Sequence, residues 1–98
     1  MIVKIHQTGN GTLVAICDSE LIGKKFEDEE FQIDLTVDFF AGSEMDEDHA
    51  GDILRNSYTF NLVGEKSVNL GLKEEVITEQ DIKKIAGIPH AQGILIHD

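Results

Sequence analysis

Ile2-Val3-Lys4-Ile5-His6-Gln7-Thr8-Gly9-Asn10-Gly11-Thr12-Leu13-Val14-Ala15-Ile16-Cys17 follows directly on the first residue of the chain. Two runs rich in β-branched residues flank Gly9-Asn10-Gly11, and Asn-Gly between such runs is a strong short-range hairpin signal. In the second run Leu13, Ala15 and Cys17 point one way, while Val14 and Ile16 point the other. Both sets are apolar. A strand of that kind belongs inside a sheet covered on both faces.

Working outward, residues 18–26 read as a connection with a helical turn, closed by Gly23-Lys24-Lys25. Phe31, Ile33, Leu35 and Val37 then alternate with Gln32, Asp34, Thr36 and Asp38, which predicts a half-buried strand with an acidic outer face. From Asp46 the period changes. Ala50, Ile53, Leu54, Ser57, Tyr58 and Asn61 fall on one helix face, with Ser43 or Asp46 as cap and an acidic first turn. The stripe continues through Gly64, Val68 and Leu72, as one helix or as two meeting near residues 56–60, and Gly71 is its expected stop. Thr78-Glu79-Gln80-Asp81 reads as a turn, followed by a brief strand or helical turn. Residues 93–97 read as a final strand. The expected order β-β-β-α-α-β defines a small α+β domain over residues 1–98. Its sheet is mainly antiparallel, built from the N-terminal hairpin plus central and C-terminal strands, with one or two helices on one face.

The chain has 98 residues and a formal net charge of −11. Residues 27–52 hold eleven acidic side chains and no Lys or Arg, leaving eight acids against eight bases elsewhere. The whole excess sits in this central segment. Such a potential repels phosphate backbones, so direct nucleic-acid binding is not expected, including through Lys24, Lys25, Lys66, Lys73, Lys83 and Lys84. It suits a basic protein surface, a divalent cation or simple solubility. The longest apolar run, Leu13-Val14-Ala15-Ile16-Cys17, is too short to span a bilayer, so no membrane segment is expected. The single cysteine forms no internal disulfide and fits a reducing, cytoplasmic compartment.

Three places carry chemistry. Ala86-Gly87-Ile88-Pro89-His90-Ala91-Gln92-Gly93 contains the only proline, which restricts the backbone before His90, while Gly87 and Gly93 bracket it. His90 reads either as a base, proton donor or metal ligand with Gln92 as its partner, or as a tie that bonds a backbone carbonyl. Asn61 stands on its helix face where a leucine is expected, and a buried amide requires partners. It bonds the 87–92 loop or satisfies a neighbouring helix end. Gly64, one turn on, admits a close backbone, and Glu65 lies near the same edge. Asp46, Asp48 and Gly51 match positions of a calcium loop, but Ala50 and Ser57 stand where oxygen ligands belong, so no metal is expected. No cofactor motif is present. Cys17, in an apolar strand, reads as a small hydrophobe.

Asn61-Leu62-Val63-Gly64-Glu65-Lys66-Ser67 and Ala86-Gly87-Ile88-Pro89-His90-Ala91-Gln92 together resemble the hallmark segments of a small archaeal family of uncharacterised cytosolic proteins, a domain of unknown function. Met1-Ile2-Val3-Lys4-Ile5, Leu13-Val14-Ala15-Ile16-Cys17-Asp18 and Leu21-Ile22-Gly23-Lys24 are similar to it as well. Where such proteins continue the second helix for another turn before Gly-Leu, this chain is shorter, at Val68-Asn69-Leu70-Gly71-Leu72. The resemblance implies a fold of this size, no established activity, and an association with translation or the ribosome. The expected function is a binding or adaptor module that engages a basic surface through residues 27–52. The alternative is a ligand-binding or catalytic cleft at Asn61, Glu65, His90 and Gln92, flanked by Gly64, Gly87 and Pro89.

Overall fold

The computed structural model describes residues 1–96, so His97 of the expected last strand lies outside the described residues. The opening hairpin forms as its sequence dictates. Strands β1 (Ile2–Thr8) and β2 (Gly11–Cys17) pair antiparallel, with Ile2 opposite Cys17 and Thr8 opposite Gly11. Val14, Ala15, Ile16 and Cys17 are all fully buried, as a strand covered on both faces requires.

The chain continues through β3 (Lys25–Glu27), β4 (Gln32–Asp34), β5 (Ser43–Glu44), α1 (Glu47–Arg55), β6 (Thr59–Val63), α2 (Glu65–Lys73), β7 (Lys83–Ile85) and β8 (Ile88–Ile94). The fold is α+β. Six strands form one sheet in the order β5-β1-β2-β6-β8-β7, in which β2 and β6 run parallel and every other pair is antiparallel. Both helices cover one face, where Val14, Ile16, Phe60 and Leu62 meet Ala50, Leu54, Val68 and Leu70. On the second face Ala15, Cys17 and Val63 lie under Ile33, Leu35 and Phe40 of the 18–42 segment.

Several expectations are corrected. Residues 59–63 form the sheet strand β6 and not part of a helix, so Asn61 stands on a strand. Helix α1 ends at Arg55, and Ser57, expected on its apolar stripe, instead bonds back to Leu54 O at 2.7 Å. Thr59-Phe60 and Leu62-Val63 are good strand formers, and burial on both faces outweighed a spacing that also fitted a helix. The stretch expected as a rigid loop is likewise mostly strand: only Ala86 and Gly87 turn, both at positive φ (52° and 81°), and Pro89, His90 and Gln92 lie on β8. Two central residues at positive φ make the tight hairpin turn that matches strand twist.

Gly71 does not stop α2, which runs on to Lys73. It is the contact between α2 and β6, where a Cβ would stand 2.6 Å from Leu62 Cδ1. Finally, β4 pairs not with the large sheet but with β3, as a separate two-stranded sheet. The Asp28 side chain folds the intervening turn locally, accepting from Glu30 N and Phe31 N at 3.0 and 2.9 Å. The nearest strand in sequence therefore becomes the partner. Ile33 and Leu35 are buried as their alternation predicts, whereas Phe31 and Val37 are 56% and 45% exposed.

Candidate functional site

Register decides which of the singled-out residues meet. In the β6–β8 ladder Asn61 lies opposite Gln92 and Val63 opposite His90, so all four side chains leave the second face of the sheet. His90 reaches diagonally to Asn61, with Nε2 2.8 Å from Asn61 Oδ1. Asn61 Nδ2 points to Gln92 Oε1 at 3.5 Å, a long contact that orients the amide. Since the amide oxygen accepts, His90 Nε2 carries the proton and Nδ1 keeps its lone pair. Burial, and then the charge of Lys83 opposite it across the β7–β8 ladder, hold His90 below the ordinary imidazole pKa. The ring is therefore neutral at pH 7.

This bonded trio sits where three hollows meet. Asn61 and Gln92 border one of about 470 Å³ with Leu13, Thr59 and the exposed Ile94. His90 and Gln92 border another of about 750 Å³ with Phe31, Lys83 and Lys84. Asn61 and His90 border a third, of about 240 Å³, with Phe39 and Phe40. The 18–42 segment covers only part of the second face, and the trio lies along the margin of what remains open.

Gly64, Glu65, Gly87 and Pro89 are brought together elsewhere, in a cleft of about 280 Å³ that also includes Asp18. Glu65 thus stands apart from the hollows that Asn61, His90 and Gln92 border. The cleft lies at the carboxyl ends of the parallel strands β2 and β6, whose chains leave toward opposite faces. In open α/β sheets ligands occupy that crevice. Here the helix end that would face a ligand's anion is taken by the chain's own Asp18 carboxylate. Asp18, 3% exposed, accepts from Lys66 N at 3.1 Å and from Ser67 N and Ser67 Oγ at 2.8 Å each, so its carboxylate caps α2. Its position is fixed by backbone bonds, Asp18 N to Val63 O at 3.0 Å and Gly64 N to Pro89 O at 2.9 Å. Gly64 admits a close neighbour as expected, but that neighbour is the Asp18 carboxylate and not another backbone. The capping role of Asp18 was missed from sequence; its one signal was a carboxylate placed at the end of an apolar strand.

Phe31 was read as core and is instead displayed. Asp28 is the reason. Besides bonding within its own turn, its Oδ2 accepts from Ala86 N at 3.1 Å, so one carboxylate pins the β3–β4 turn to the tip of the β7–β8 hairpin. These backbone donors, from Phe31, Glu30 and Ala86 in that order of effect, hold Asp28 below the usual carboxylate range. Other members of the acidic segment also have local work. Asp46 caps α1 through His49 N at 2.8 Å, Glu47 pairs with Lys73 at 2.9 Å, and Asp34 binds Thr36.

No hydroxyl or thiol is hydrogen-bonded to His90 among the described residues. Cys17 is fully buried, and burial, with the charge of Asp18, pushes its thiol to about 11, far from a reactive thiolate. Among the described residues no group of three His, Cys, Asp or Glu side chains is arranged to hold a metal ion. Among the described residues no helix is long and apolar enough to cross a membrane.

A family profile described as Protein of unknown function (DUF424) matches residues 5–96. The crystal structure of an uncharacterized conserved protein from Methanopyrus kandleri superposes with a TM-score of 0.83. It is 24% identical, over 99% of this chain and 93% of that one, which establishes a shared fold. No curated protein matches.

Proposed function

This chain belongs to the DUF424 family of proteins of unknown function, and from that premise we propose that it is a binding module whose recognition surface is the open part of the sheet's second face. One observation carries the reading. Asn61, His90 and Gln92 form a hydrogen-bonded trio where three hollows meet, leaving His90 Nδ1 as an acceptor and the Gln92 amide nitrogen as a donor. A base is held by an orienting amide, but among the described residues no nucleophile is bonded to it. Recognition suits the trio better than covalent catalysis.

The test is a screen of small polar compounds followed by amide chemical shifts on the full chain. Hits should move Asn61, His90 and Gln92, and should lose at least about tenfold in affinity in Asn61→Leu, which removes the acceptor from His90 and leaves a half-buried N–H unpaired. Hits that map elsewhere, or equal binding by a folded Asn61→Leu, would overturn the reading.

A second reading rests on the turn at residues 28–31, where Phe31 stands 56% exposed beside the exposed Glu29 and Glu30. An apolar anchor ringed by acids suits a basic protein surface in the cytosol, and the family resemblance points to the translation apparatus. Co-sedimentation with ribosomes at low salt should be strong for the parent chain and lost in Glu29→Lys/Glu30→Lys. Asp46 and Glu47 are poor choices for that test, because their loss would disturb α1 and its pairing with Lys73. Salt-insensitive or absent sedimentation would discard this reading.

A further inference from the structure

The largest of the three hollows places a lysine beside the trio in a molecule of net charge −11. Its charged members are Asp81, Lys83 and Lys84; Lys84, opposite Pro89, also borders the cleft of Asp18, Glu20 and Glu65, so Lys83, opposite His90, is the cation on the trio's face. Asp81 is already engaged, since its Oδ2 accepts from Thr78 N at 2.7 Å within the turn before β7. Among the described residues Lys83 forms no salt bridge. The influence of Lys83 is felt at His90, whose pKa it helps to lower. Phe31 stands at the same hollow, its backbone tied through Asp28 to the β7–β8 hairpin that carries the lysines. The space, about 750 Å³, is within the range of small-molecule sites.

Resting on the binding reading above, we propose that this hollow takes a planar heterocycle carrying an anionic group, of which a nucleoside monophosphate is the representative. Each part of the wall has a counterpart in such a ligand. The Phe31 ring offers a stacking surface, as aromatic side chains do for bases of every identity. The Gln92 amide and His90 Nδ1 offer donors and an acceptor to the heterocycle's edge, with Asn61 fixing which His90 nitrogen holds the proton. Lys83, which stands opposite His90, meets the anion as a mobile point charge. A mononucleotide fits this charge pattern better than an RNA strand. A longer polyanion would extend beyond the hollow over a molecule of net charge −11, which repels it.

The test is titration of the full chain with adenosine, guanosine, cytidine and uridine monophosphates, followed by amide shifts, with the nucleosides and inorganic phosphate alone as separate arms. At least one monophosphate should bind saturably and shift Phe31, Lys83, His90 and Gln92, more tightly than its nucleoside and more tightly than phosphate. Phe31→Ala, at an exposed position that leaves the fold intact, should weaken that binding about tenfold. Lys83→Gln should reduce the advantage of monophosphate over nucleoside while leaving nucleoside affinity unchanged. Three results would overturn the proposal: no monophosphate shifting the hollow, phosphate alone binding as well as the nucleotide, or an oligonucleotide binding more tightly than any monomer. If nucleotides fail while other screened compounds shift the trio, the ligand class is wrong and the binding surface stands. If nothing shifts the trio, both fail.

Discussion

Gly64→Ala is expected to cost about 3–5 kcal/mol, a large part of the roughly 5–15 kcal/mol that holds a small domain folded. Two separate penalties combine. Gly64 sits at φ +107°, where an L side chain is strained by about 1–3 kcal/mol. Its new Cβ would also stand 2.3 Å from Asp18 Cγ, and that carboxylate is held by three bonds to the first turn of α2. The carboxylate cannot retreat without uncapping the helix. Urea unfolding should show a lower midpoint with an unchanged slope. A loss below about 0.5 kcal/mol would mean that the carboxylate is not where the structure puts it.

Asp18→Ala should cost about 2–4 kcal/mol, although an aspartate is the residue removed from a strongly acidic protein. A lost cap is worth about 0.5–2 kcal/mol, and the buried Ser67 N–H and hydroxyl would also lose their acceptor. Relief of net negative charge acts in the other direction but is screened and small. The two substitutions should be strongly non-additive. In an Asp18→Ala background the added Cβ at Gly64 meets no carboxylate, so only the backbone strain remains. A double-mutant cycle that returned simple additivity would separate the two residues and remove the account of this cleft.

Much of the fold was legible because its signals were local. Asn10-Gly11 between β-branched runs gave the hairpin, and apolar residues on both sides of β2 announced a covered central strand. The largest error has a physical source, that pairing partners distant in sequence leave no periodic trace. Ser57, Tyr58 and Asn61 fitted a helical spacing, yet residues 59–63 gain more as a strand between β2 and β8, where Leu62 and Val63 are both buried. Asn61 was correctly singled out as a polar residue at an apolar position, and it does bond His90, but from a neighbouring strand and not from a helix. Glu65 was grouped with them on helical spacing; once residue 61 became sheet, that spacing no longer applied. Gly64 was read as a close-approach position, and it is one. Phe31 shows the reverse case, an apolar residue in clean alternation that the Asp28 turn leaves in solvent. Asp18 was invisible because its donors lie nearly fifty residues further along the chain.

The parallel pairing of β2 with β6 has a consequence for how the protein reaches this state. The β1–β2 hairpin closes across two residues and forms on the microsecond scale. The β2–β6 contact instead waits until everything from Asp18 to Tyr58 has been drawn into a loop, an entropic cost incurred before any ladder bond is made. The Asp18 carboxylate meets α2 only after that closure. The last capping bond of α2 therefore marks closure of the parallel pair, before β7 and β8 add to the sheet, and a nascent chain must expose the apolar edge of β2 until β6 has been synthesised and docked.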